Sequence, residues 1–143
     1  HAPLGAVITT IDREDVRKKR LVLPDAGPPT KGINYIIADT FQWEPPADMV
    51  GKQDFVFVDA GHELEAVEND TALALGLAAP GCIIVWHDVF VKGHKFATWR
   101  NMAKYLPQSV VAEFLEEFPH DVTLVRGTTL AFWRKDDGDS NGN

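Results

Sequence analysis

Phe55-Val56-Phe57-Val58-Asp59-Ala60-Gly61-His62 and Ala79-Pro80-Gly81-Cys82-Ile83-Ile84-Val85-Trp86-His87-Asp88 are the two stretches on which the fold turns. Each is an apolar run that ends abruptly in acid and histidine. Neither alternates between apolar and polar residues, so both read as strands covered on two faces, as in a parallel sheet. Between them, His62 to Ala78 carries Leu64, Val67, Thr71, Ala74, Leu75 and Ala78 on one stripe, with acidic residues mostly opposite. That spacing predicts an amphipathic helix, which Pro80-Gly81 is expected to stop. Strand, helix, strand is the unit that builds a parallel sheet.

The same grammar extends outward. Ala6-Val7-Ile8-Thr9-Thr10-Ile11 ends at Asp12, and Ile33-Asn34-Tyr35-Ile36-Ile37-Ala38 ends at Asp39. A short helix is expected over Arg13–Val22, a loop over Leu23–Pro29, and a helix over His94–Leu106 that Pro107 ends. A further short helix is expected over Ser109–Phe118. Asp121–Val125 and Thr129–Trp133, joined by Arg126-Gly127-Thr128, predict an antiparallel hairpin. The fold class is therefore α/β, a doubly wound, mostly parallel, Rossmann-like sheet with a C-terminal antiparallel hairpin. Residues 1–135 form one domain in this reading, and the acidic stretch 136–143, without apolar residues, forms a disordered tail.

Composition narrows the function classes. The 143 residues carry a formal net charge of −7, which repels polyphosphate and argues against nucleic acid. The one compact basic run, Arg17-Lys18-Lys19-Arg20, follows Asp12, Glu14 and Asp15 and reads as a solvated helix face. No apolar stretch approaches the roughly 20 residues of a membrane helix. A single cysteine, Cys82, excludes an internal disulfide and suits a reducing, cytoplasmic setting; in its apolar run it reads as a core residue.

Four strands ending in Asp12, Asp39, Asp59 and Asp88 point to chemistry, because ligands of such sheets bind beyond the carboxyl ends of the strands. Any one of them is adequately explained as a turn former or helix cap. Four together, flanked by His62 and His87, predict a shared acidic rim. Asp12 suits ribose hydroxyls. Asp39-Thr40-Phe41 suits an adenine met by a carboxylate and an aromatic ring. Asp59, His87 and Asp88 offer oxygen and imidazole donors for a divalent cation. His94 and His120 read as surface or helix-end residues, and Trp43, Trp86, Trp99 and Trp133 as packing.

Phe55–His62, with Glu65-Ala66-Val67 and Asp70, and Ala79–Val89 together resemble class I S-adenosylmethionine-dependent methyltransferases, most nearly the small-molecule O-methyltransferase-like group. Val125–Ala131 is similar to the last strand of that group. The resemblance implies S-adenosylmethionine as cofactor, bound by Asp12, Asp39, Thr40, Phe41 and Asp59. It implies magnesium or a similar cation at Asp59, His87 and Asp88, Asp59 or His62 as catalytic base, and a small-molecule acceptor. Ala60 and Cys82 stand where the group has glycine. The group's first strand and glycine-rich cofactor turn have no counterpart before Asp12, where only Gly5 lies upstream. The expectation is a truncated domain lacking that strand, its open sheet edge closed by direct strand pairing, a second copy or a lost segment. Two rival functions share these residues: a non-catalytic methyltransferase-like remnant serving as an interaction module, and a metal-dependent hydrolase.

Overall fold

The computed structural model describes residues 7–14, 33–59, 61–90 and 109–137. The helices expected over Arg13–Val22 and His94–Leu106 lie outside these residues apart from Arg13 and Glu14, as do the loop at Leu23–Pro29 and residues 138–143. The chain divides into two compact units, His1–Glu44 and Pro45–Asn143.

In the first unit β1 (Ile8–Asp12) pairs in parallel with β2 (Ile33–Ile37), in a register that sets Ile8 beside Ile33 and Asp12 beside Ile37. The β-branched runs form strands because stiff side chains pack well on a pleated surface. The Ala38 amide donates to the Asp12 carbonyl at 3.0 Å, carrying the pairing one step past the strand. Parallel register puts the acid of β1 and the acid just after β2 at the same edge.

The second unit holds a four-stranded sheet in the order β3-β4-β6-β5. Its strands are β3 (Gln53–Val58), β4 (Ala78–Trp86), β5 (Thr123–Leu124) and β6 (Ala131–Arg134), with β3 parallel to β4 and the last two antiparallel. The expected hairpin is there, shorter than its sequence suggested, and turns through Gly127 at φ 81°. Thr128 donates its amide and its hydroxyl to the Val125 carbonyl, at 3.1 and 2.9 Å.

Helix α1 (Leu64–Leu77) joins β3 to β4. It buries Val67, Thr71, Ala74 and Leu77, one residue per turn at helical spacing. Leu64, expected on that stripe, is instead 50% exposed. It opens the helix, and a side chain there leans back over the N-terminal end rather than onto the sheet. The helix stops at Leu77, before Pro80-Gly81. That pair lies within β4, where Gly81 takes φ 77°. Between the partners Gln53–Ala78 and Phe55–Ile83, β4 advances five residues while β3 advances two, so the proline and glycine form a bulge instead of a helix stop. The helix-end carbonyls left without an intrahelical donor are met from elsewhere. Gly51 and Lys52 amides donate to Gly76 and Leu77, both at 2.9 Å, and the Lys135 ammonium reaches the Ala78 carbonyl at 2.8 Å.

Helix α2 (Val110–Glu116) is capped by Ser109, whose hydroxyl accepts from the Ala112 amide at 3.1 Å and also from Phe90 at 3.0 Å. α1 and α2 pack on each other, and both contribute to one core with Cys82, Ile84, Trp86 and Ala131. The buried Trp86 indole N–H is satisfied by the Thr71 hydroxyl at 3.0 Å. Cys82 is fully buried, and burial, with the nearby charge of Asp54, pushes its thiol up and away from nucleophilic use. Coverage of both sheet faces does not hold in full. Cys82, Ile84 and Trp86 are buried, while Phe55 and Phe57 on β3 are 58% and 48% exposed. Among the described residues, continuous apolar composition therefore coexists with burial on one face.

Candidate functional site

The strand-end acids fall into two pairs, one in each unit. Asp12 is the last residue of β1, and its Oδ1 accepts from the Glu14 amide at 2.8 Å. Asp39 follows β2, and its Oδ1 accepts from the Phe41 amide at 3.1 Å. Both are Asx turns, in which an aspartate oxygen satisfies the amide two residues on. Thr40 is half-buried, and Phe41 is 52% exposed beside it.

The second pair is built differently. Asp59 follows β3 directly, and His87-Asp88 follow β4. Val58 is opposite Trp86 in the parallel register, so these residues leave the sheet side by side. The His87 amide donates to the Val58 carbonyl at 3.1 Å, extending the ladder to the site itself. Asp88 then takes φ 55°, the only positive value at a non-glycine among the described residues. Backbone held there costs about 1–3 kcal/mol and persists where the surroundings impose it. That conformation turns the Asp88 carboxylate toward its neighbours.

Three residues converge at this edge. Asp59, His62 and Asp88 each present a ligand atom, all within 4.8 Å of one another. His62 Nε2 lies 3.0 Å from Asp88 Oδ2. His87 Nδ1 lies 3.1 Å from Asp59 Oδ1 and 3.2 Å from Asp88 Oδ1. Two carboxylates this close repel unless a cation or a hydrogen-bond donor relieves them, and His87 is hydrogen-bonded to Asp59. Oxygen and nitrogen donors of this kind also fit a divalent cation. A shallow, open depression adjoins the cluster, lined by Asp59, His62 and His87 and by Val67, Trp86 and Val111.

Gly61 makes the approach of His62 possible. A Cβ there would sit 2.6 Å from the Ala66 Cβ on the first turn of α1. Only glycine lets the loop pass so close to the helix before His62 swings back over the edge.

The sequence picked out every residue of this cluster except one. Thr129, from the turn before β6, sets its hydroxyl 3.4 Å from His87 Nε2, and its carbonyl accepts the Val89 amide at 2.9 Å. A threonine in a hairpin turn carries no local signal of such a role, because its partner is 42 residues away. His120, read as a surface residue, is exposed but stacks on Trp133 with ring centroids 4.5 Å apart. His94 and Trp99 lie outside the described residues.

Parallel strands with acids at their carboxyl edges have the layout of a sheet that binds a ligand there. A family model described as a methyltransferase domain matches residues 4–89, which include both acid pairs. That is more than half of the chain, and the protein belongs to this methyltransferase domain family. Membership implies S-adenosylmethionine as the methyl donor. Among curated proteins none matches. No helix among the described residues is long and apolar enough to cross a membrane.

Proposed function

We propose that this protein transfers a methyl group from S-adenosylmethionine to a hydroxyl of a small molecule, with a divalent cation held at the carboxyl edge of β3 and β4. The observation that carries the reading is the set of ligand atoms on Asp59, His62 and Asp88, within 4.8 Å of one another beside a shallow depression. The family match covers residues 4–89 and so takes in part of each compact unit.

The cofactor, when bound, supplies an electrophilic methyl group on a sulfonium. Asp59, His62 and Asp88 would hold the cation, which would lower the pKa of a hydroxyl bound there and orient it. The chain's own residues do the rest. Asp12 and Asp39, at the ends of β1 and β2, are the acids that accept hydrogen bonds from the ribose and adenine, with Thr40 and Phe41 beside the base. Asp59 and His62 are the two groups at this edge able to accept the hydroxyl proton. Val67, Trp86 and Val111 keep water from the apolar side of the depression.

Beyond the acceptor, the net charge of −7 argues against nucleic acid as a partner. Titration calorimetry with S-adenosylmethionine, with and without magnesium, tests the reading. Cofactor binding that magnesium does not abolish is expected. Magnesium binding without cofactor binding would favour the hydrolase, and binding of neither would favour the interaction module.

A further inference from the structure

We propose that Ser109 is a positioning residue for this edge. Its hydroxyl clamps the chain just past Asp88 and so holds that aspartate in the backbone conformation that presents its carboxylate to His62. The purpose of the clamp rests on the cation reading above; its substance rests on hydrogen bonds alone.

Asp88 takes φ 55°, a region uncommon for residues other than glycine, although aspartate tolerates it better than most. Such a conformation relaxes unless the chain is held on both sides of it. Upstream, the His87 amide donates to the Val58 carbonyl at 3.1 Å. Downstream, the Val89 amide donates to the Thr129 carbonyl at 2.9 Å, and Val89 itself is buried in the core. One residue further, the Phe90 amide donates to Ser109 Oγ at 3.0 Å, and the Ser109 amide returns a bond of 3.0 Å to the Phe90 carbonyl. Of these four bonds only the one to Ser109 Oγ uses a side chain, so it is the one that a change of side chain removes.

Ser109 suits the task because it is fixed from the other direction. The same Oγ accepts from the Ala112 amide at 3.1 Å as the cap of α2. Val111 and Ala112, in the first turn of that helix, are buried in one core with Trp86 and Val89. A hydroxyl oxygen has two lone pairs, enough for both amides. Ser109 stands 19 positions beyond Phe90 in sequence, so nothing local would hold the two together. Asp88 thus lies between a strand end and a clamp seated on a helix. Its Oδ2 comes to 3.0 Å from His62 Nε2, within the group of ligand atoms that these two residues form with Asp59. A serine that served only as a helix cap would need no second amide.

Ser109→Gly separates the two duties, because glycine caps a helix nearly as well as serine while lacking the hydroxyl. Ser109→Thr keeps the hydroxyl. In the metal-free, isotope-labelled chain, wild type should show a strong intraresidue amide–Hα Overhauser signal at Asp88, the mark of positive φ, and a slowly exchanging Phe90 amide. Ser109→Gly should weaken the first and speed the second, and Ser109→Thr should restore both. Manganese titration should show roughly tenfold weaker binding for Ser109→Gly and near wild-type binding for Ser109→Thr, the scale of a lost partner behind a ligand. A cap that did nothing else would lower stability and leave the folded chain's Asp88 signal and manganese affinity alone. An unmoved signal or an unmoved affinity in Ser109→Gly would therefore overturn the proposal. So would a Ser109→Thr chain that behaves as Ser109→Gly does, or a wild-type Phe90 amide that exchanges like an unbonded one, a result that needs no variant. Should the Asp88 and Phe90 signals behave as expected while wild type binds no manganese, Ser109 still positions Asp88, and it is the cation reading that fails.

Discussion

The carboxyl edges of the two parallel strand pairs follow one sequence rule and arrive at different chemistry. At β1 and β2 each aspartate turns inward on its own chain, with Asp12 binding the Glu14 amide and Asp39 the Phe41 amide. At β3 and β4 the aspartates are instead tied across the chain, to His87 and His62. A strand-terminal acid is therefore ambiguous by itself. A neighbouring histidine on the adjacent strand converts a local turn into a cluster able to hold a cation, whereas an acid in an Asx turn keeps a fixed direction suited to accepting hydrogen bonds.

That contrast can be broken most forcefully at the cluster. The double substitution Asp59→Asn with Asp88→Asn should reduce manganese affinity by more than about 100-fold, beyond the loss of an outer partner, as read by calorimetry. Amide side chains are close in shape to aspartate, and Asn tolerates the left-handed backbone of Asp88, so the fold should survive. If affinity is unchanged, the two edges do not differ in the way described. A second effect is steric. Gly61→Ala places a Cβ 2.6 Å from the Ala66 Cβ, and chemical denaturation should show about 1–3 kcal/mol lost. No glycine is required at the Asp39 turn, so Thr40→Ala should change stability by less than about 0.5 kcal/mol. The smallest change separates charge from geometry at the first edge. Asp12→Asn and Asp39→Asn keep the Asx turns and should leave stability nearly unaltered. Cofactor affinity should fall about fivefold for each, since a hydrogen bond to a charged acceptor is worth about 1 kcal/mol more than a neutral one.

Much of this was legible in the sequence, for identifiable reasons. Apolar runs closed by Asp marked all four parallel strands, and Gly127 between two apolar runs marked the hairpin. Val67, Thr71 and Ala74 marked the buried face of α1 because helical spacing is local. What could not be seen depends on partners distant in the chain. The bulge at Pro80-Gly81 exists only relative to β3, so the same dipeptide read naturally as a helix stop. The positive φ of Asp88, which brings its carboxylate to His62 across the edge, has no signal in its local sequence. The choice between His62 and His87 as the clustered nitrogen likewise turns on which ring atom faces which oxygen.

Lys135 has one more implication. Its ammonium closes the end of α1 through Ala78, 57 residues earlier, while its own backbone is bonded to Gly81 and Cys82. During synthesis Gly51 and Lys52 are already in place when the helix emerges, so only the Ala78 carbonyl waits, hydrated, for this lysine. Nascent chains ending short of Lys135 should accordingly form α1 but be cut more readily by protease at its junction with β4.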